Sequence, residues 1–172
     1  MAGLILNGLN IKDLMLNGRS VSAMLNGELV WPVATPTPVP SFDGYIIQMK
    51  WNPVKDDNIT INGLWVNGSR ISTSDIYDAK YNVGGTDNQM SQEDIASSIE
   101  SNKSFYARSV EFWVDRNDIT RIDCKTNPYY QPEGEWLLNV WTFVKNQWSY
   151  NQIITDQLVT PDANVTIPII LS

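Results

Sequence analysis

A chain of 172 residues with no histidine and a single cysteine cannot build a Ser-His-Asp or Cys-His nucleophile system, a histidine metal site, an internal disulfide or a thiolate zinc centre. A formal net charge of −7, with no dense Lys/Arg cluster, argues against nucleic acid and anionic membrane as partners. Hydrophobic residues at 42% and charged residues at 18% favour a packed core over disorder, and seven Trp with seven Tyr suit a β-rich fold.

Residues 1–32 carry three Leu-Asn-Gly units, at Leu6, Asn7 and Gly8, at Leu16, Asn17 and Gly18, and at Leu25, Asn26 and Gly27. Asn-Gly between short apolar runs signals a tight hairpin, because a type I′ turn needs positive φ at both central residues. The arms are about three residues long, and isolated two-stranded hairpins of that size are marginal in water. Their apolar residues therefore call for another surface, either their own globular domain, a partner or sister copies. The series ends at Trp31-Pro32. Residues 33–40 alternate proline with small residues, which gives a semi-rigid spacer of roughly 25 Å at about 3.1 Å per residue. Residues 1–11 have no basic n-region and their apolar run breaks at Asn7, so the expectation is synthesis and retention in a cytoplasm unless an assembly carries the chain out. No run approaches the roughly 18 apolar residues of a membrane span.

From Ser41 the pattern changes to that of a β-sandwich over 41–172. Tyr45 to Trp51 reads as a strand. Ile59 to Ile61, Leu64 to Val66 and Arg70 to Ile71 follow, separated by Asn62-Gly63 and Asn67-Gly68 turns. The stretch from Tyr77 to Gly85 is polar and reads as turns. Ser91 is a helix N-cap with Glu93 and Asp94 in the first turn, and Ile95 and Ile99 give that short helix one apolar side. Val110, Phe112 and Val114 alternate along the next strand. Residues 119–125 form another strand, with Cys124 as a small buried residue. Residues 126–134 are a loop. Residues 135–144 are the longest apolar run, in which Trp136 and Trp141 are expected to be buried. Trp148 to Tyr150 and Val165 to Leu171 are the last strands, with Pro168 marking a sheet edge or a bulge.

The loop acids Asp56, Asp57, Asp75, Asp78, Asp87, Glu93 and Asp94 supply carboxylates, but no spacing fixes a catalytic pair, and no enzyme is expected. No cofactor is expected either, with a structural Ca²⁺ held by loop carboxylates as the alternative. Carbohydrate recognition is the stronger site reading. Tyr129, Tyr130 and Gln131 lie in a Pro-bounded loop where aromatic faces could stack on a sugar ring or meet a protein partner, with packing of the loop itself as the alternative.

Two resemblances follow from these residues. The order of the Tyr45–Trp51 strand, the Ile61–Val66 segment, Ile119 to Ile122, Asn127 to Tyr130 and Glu135 to Leu138 resembles discoidin-type, galactose-binding-like jelly-roll domains. The chain departs from them in the long insert from Asp75 to Ser104. The tandem Leu-Asn-Gly units ending in Trp31-Pro32 resemble N-terminal segments of fibre and decoration proteins of tailed phages, including the crAss-like phages of gut Bacteroides. That likeness implies an all-β virion structural protein on the capsid surface, made in the host cytoplasm. Leu6, Asn7, Gly8, Leu16, Asn17, Gly18, Leu25, Asn26, Gly27 and Trp31 would attach it to the major capsid protein or another virion protein. The displayed sandwich would form a homo-oligomer, a dimer or trimer, and contact host-surface glycans. The alternative is a carbohydrate-binding lectin module of the discoidin type, free of any virion.

Overall fold

The computed structural model describes residues 4–6, 9–11, 15–16, 19–20, 23–25, 28–31, 42–124, 130–131, 134–147, 149–160 and 165–171. The chain divides into two compact units, Met1–Pro40 and Ser41–Ser172. Its strands pair antiparallel throughout, so the chain is all-β apart from short helical elements.

The first unit holds three two-stranded ribbons. Strand β1 (Leu4–Leu6) pairs with β2 (Leu9–Ile11), β3 (Met15–Leu16) with β4 (Arg19–Ser20), and β5 (Ala23–Leu25) with β6 (Glu28–Trp31). The innermost partners are Leu6 and Leu9, Leu16 and Arg19, and Leu25 and Glu28. Each Leu-Asn-Gly leucine therefore closes its ribbon against the residue three positions later, and each ribbon spans the same two-residue Asn-Gly connection. The third ribbon carries a register shift between Ala23 and Met24. Residues 32–41, including the proline-rich stretch, lie outside the described residues.

The second unit is an antiparallel β-sandwich. It runs through β7 (Gly44–Trp51), β8 (Asp57–Ile61), β9 (Trp65–Val66), β10 (Ser69–Arg70), a 3₁₀ turn at Thr73–Asp75, β11 (Ile76–Val83) and β12 (Thr86–Gln89). The single α-helix among the described residues, α1 (Gln92–Glu100), comes next. Then follow β13 (Lys103–Ala107), β14 (Ser109–Val114), β15 (Arg121–Cys124), β16 (Tyr130–Gln131), β17 (Trp136–Val144), β18 (Ser149–Val159) and β19 (Val165–Pro168). A six-stranded sheet has the order β12-β11-β14-β7-β17-β18. Opposite it lie a four-stranded sheet, β10-β9-β15-β19, and a three-stranded sheet, β13-β8-β16.

Period-two alternation builds the core. On β7 the odd-numbered Tyr45, Ile47, Met49 and Trp51 point inward, and Val110, Phe112 and Val114 do so on β14. They join Ile59 and Ile61 of β8, Ile122 and Cys124 of β15, and Ile95 and Ile99 of α1 in one continuous cluster. Each such side chain is worth about 1.5–3 kcal/mol of burial. The Tyr45 hydroxyl crosses this core to donate to the Ile119 carbonyl at 3.1 Å. Burial, and secondarily the nearby Asp118 charge, push that hydroxyl up to about 12.

Several expectations hold and several change. Ser91 caps α1, its hydroxyl accepting from the Asp94 amide at 3.1 Å, and Ile95 and Ile99 are buried. Pro168 lies on β19, the edge of its sheet, where a missing donor costs no ladder bond. Asn67-Gly68 makes the tight hairpin between β9 and β10, with φ of 53° and 80°. Asn62-Gly63 does not; it carries the chain from the three-stranded to the four-stranded sheet, and the Gly63 amide donates to the Ser98 carbonyl of α1 at 2.6 Å. Most of the stretch from Tyr77 to Gly85, read as turns, belongs to β11 (Ile76–Val83), an inner strand of the large sheet. Its polar Asp78 and Lys80 occupy outward positions while Ala79 is buried. The strand after Trp148 is far longer than expected, running to Val159.

Candidate functional site

The outward face of the six-stranded sheet carries a second group of side chains, mostly aromatic and separate from the core. Its residues take the opposite phase of the strands that build the interior: Ile46 and Gln48 on β7, Glu111 and Trp113 on β14, Trp141 and Phe143 on β17, and Tyr150 on β18. Register places Trp113, Ile46, Trp141 and Gln152 in one row across four strands. Glu111, Gln48 and Asn139 stand in the next row. On the other side, Gly44, Phe143 and Tyr150 form a third.

Aromatic rings close over these rows. Tyr150 and Trp113 lie on strands with two others between them, about 14 Å apart at the usual strand spacing, yet their ring centroids are 5.6 Å apart in an edge-on arrangement at 83°. Phe143 lies 5.3 Å from Trp113, and Tyr77 stacks on Phe143 at 6.2 Å and 27°. Tyr77 is the extra residue of a bulge between Ile76 and Asp78, which frees it from the ladder. The Lys80 ammonium sits over the Trp113 ring at 5.0 Å. Beneath the rings Ile46 is only 5% exposed and Phe143 only 1%, although neither belongs to the interior cluster.

Ile46, Gln48, Glu111, Trp113, Trp141 and Tyr150 line an open cavity of about 330 Å³. Its polar corner is fixed by Glu111. One carboxylate oxygen accepts from the Trp113 indole N–H at 2.6 Å and the other from Gln48 Nε2 at 3.1 Å. A carboxylate offers about four acceptor positions, so two remain for a ligand. Next to Gln48, the buried Asn139 uses its Oδ1 to accept from the Asp156 amide at 2.9 Å and Gln152 Nε2 at 3.1 Å. Those bonds hold the irregular register of β18 against β17, where Asp156 has a φ of 45° and its carboxylate meets Lys50 at 2.7 Å. The cavity lining therefore comes from sheet strands, with this hydrogen-bonded irregularity beside it on β17 and β18.

The loop named in the sequence lies elsewhere. Tyr130 and Gln131 form β16, paired to Ile61 and Thr60 of β8 in the three-stranded sheet, and Tyr129 lies outside the described residues. Of the two tryptophans expected to be buried, Trp136 is at 3% exposure, whereas Trp141 is half-buried and lines the cavity. The signal for the cavity was present in the alternation: if Val110, Phe112 and Val114 face inward, Glu111 and Trp113 must share the other face. The attachment residues Leu6, Leu16, Leu25 and Trp31 lie on ribbon strands, while Asn7, Gly8, Asn17, Gly18, Asn26 and Gly27 lie outside the described residues.

The loop acids mostly meet cations or donors. Asp56 pairs with Arg108 at 3.1 Å, Asp94 with Lys103 at 2.8 Å and Asp57 with Lys55 at 2.7 Å. Asp78 accepts from Gln89, and Asp87 from Asn82 at 2.6 Å. No group of three or more acidic or cysteine residues is placed to hold a metal ion among the described residues.

The fold and this face define a β-sandwich with an aromatic, carboxylate-edged cavity on its larger sheet. Compared with known proteins, the chain matches no family model, no curated protein and no solved structure.

Proposed function

We propose that this chain is a virion structural protein, a phage head fibre or capsid-surface decoration protein, anchored by residues 1–32 and displaying residues 41–172 for adhesion to host-surface glycans. The observation that carries this reading is the repeated ribbon of the first unit. Three ribbons share one two-residue connection, and each is too short to hold itself together in water. Such ribbons gain stability by burying their apolar arms on another surface, as an attachment segment does on a shell. The sandwich unit contains a continuous hydrophobic core made of its own residues. Many copies on one particle would turn weak contacts into firm adhesion through avidity. The resemblance of the Leu-Asn-Gly series to phage fibre segments supplies the virion context.

Particle incorporation tests it. Full-length protein and a variant lacking residues 1–32 are supplied to assembling particles, and purified particles are probed by mass spectrometry and immunogold labelling. The full chain is expected on the particle surface and the truncated chain in the soluble fraction. Equal partitioning, or absence of the full chain from particles, overturns the reading. In the second case the aromatic face favours a free lectin.

A further inference from the structure

We propose that the outward cavity on the six-stranded sheet binds one pyranose ring of a neutral glycan. This assignment names the site of the adhesion put forward above and rests on that part of the reading, not on the virion.

The cavity combines what a sugar ring presents. A pyranose has apolar C–H faces and hydroxyls around its rim. Trp113, Trp141 and Tyr150 offer aromatic faces and edges to the first, and Glu111 and Gln48 offer acceptors and a donor to the second. A volume of about 330 Å³ is at the small end of ligand pockets, which suits one ring with its neighbours running out along the open sheet. Because the bonds from Trp113 and Gln48 fix the Glu111 carboxylate in place, its remaining lone pairs are preset for sugar hydroxyls, and hydrogen bonds to an ionised acceptor are the stronger kind.

The same carboxylate selects the occupant. An apolar peptide laid over this face would seal Glu111 from water without a new donor, which is costly. A glycan brings hydroxyl donors to the same place. An acidic sugar would set its carboxylate beside Glu111 on a chain of net charge −7, where the nearby lysines are already engaged: Lys80 lies over Trp113, Lys50 pairs with Asp156, and Lys145 pairs with Asp115 beside Tyr77. Neutral hexopyranosides remain.

The test is affinity electrophoresis of the full chain in gels containing mixed-linkage β-glucan, galactomannan, xylan, yeast mannan or polygalacturonate, with a mammalian and bacterial glycan array alongside. Variants are Trp141→Ala, Glu111→Gln and, as a control on the three-stranded sheet, Tyr106→Ala, whose side chain is 61% exposed. Thermal melts establish which variants fold; the near-isosteric Glu111→Gln preserves shape should Trp141→Ala fail. The expected result is retention by at least one neutral glycan and not by polygalacturonate. Affinity should fall about tenfold or more in Trp141→Ala, and measurably in Glu111→Gln, with Tyr106→Ala unchanged. Binding that survives in Trp141→Ala and Glu111→Gln overturns this site while leaving adhesion standing elsewhere on the chain. Binding to no glycan overturns both the site and the adhesive role. Retention by polygalacturonate alone overturns the neutral-sugar assignment, and self-association abolished by Trp141→Ala shows instead that the face joins two copies.

Discussion

Gly44 and Phe143 stand opposite each other on β7 and β17, and the Phe143 ring occupies the space a side chain at Gly44 would need. A Cβ there would lie 2.9 Å from the Phe143 ring and would collide with the Val114 backbone carbonyl. The bare strand lets Phe143 lie flat at the foot of the aromatic cluster, where it supports both Trp113 and Tyr77.

Gly44→Ala is therefore expected to destabilise the sandwich by about 3 kcal/mol, at the upper end of overpacking effects. The carbonyl cannot rotate away as a side chain could, so β7 and β14 must separate. Urea unfolding monitored by tryptophan fluorescence measures the loss. A change under about 0.5 kcal/mol would show that the close approach is easily relieved.

The core was legible wherever alternation was clean. Tyr45 to Trp51 and Val110 to Val114 announce their inward residues, and Ser91 with Ile95 and Ile99 announces the helix. The strand at Ile76–Val83 was hidden because its outward positions carry Asp78 and Lys80, and one bulge breaks its period. The outward cavity was hidden for a related reason. Tryptophans in strands read as core, although the odd spacing of Trp136 and Trp141 on one strand already puts them on opposite faces. The register of β17 against β7 then settles which of the two faces the core, pairing Trp136 with Trp51 and Trp141 with Ile46. The contact between Trp113 and Tyr150 spans 37 positions of sequence and two intervening strands, which no local pattern encodes.

Asn67 provides a second test. It turns the β9–β10 hairpin with positive φ, and its side chain also ties that turn to the approach of β15. Its Oδ1 accepts from the Thr120 amide and hydroxyl, both at 2.9 Å, and from the Arg121 amide at 3.2 Å, while Nδ2 donates to the Asp118 carbonyl at 3.0 Å. Asn67→Ala removes all four bonds and places alanine in a left-handed conformation, so a loss of about 2–3 kcal/mol is expected. Asn67→Gly keeps the backbone freedom and loses only the bonds. It should be less damaging than Asn67→Ala; equal losses would mean the conformation contributes nothing.

Cys124 should be inert in the folded protein. It is 1% exposed, and burial, with the neighbouring Asp123 charge adding to it, pushes its thiol up to about 12. The thiolate is the reactive form, so a disulfide reagent at pH 8 should modify it only through unfolding. The labelling rate should rise with urea in step with the unfolding transition. Fast labelling in native buffer would contradict the placement of β15.

Acid should lower the stability of the sandwich, and the window follows from its carboxylates. The Gly84 amide foremost, with Arg108, holds Asp56 below its ordinary value. Lys55 does the same for Asp57, Lys103 for Asp94, Arg116 for Asp118 and Lys50 for Asp156. A carboxylate whose folded value is depressed contributes stability that is complete above its unfolded value, about 3.9 for Asp, and is lost as pH falls through the lower folded value. Each exposed pair is worth little, but the losses share one direction. Without histidine, no side chain has its ordinary titration between about pH 5 and 8. Thermal melts should therefore give a flat midpoint from about pH 5 to 8 and a decline below about pH 4. High salt should shrink that fall, since these pairs are screened over about 3 Å at 1 M. A midpoint that already declines between pH 7 and 5.5 would show that another group controls stability.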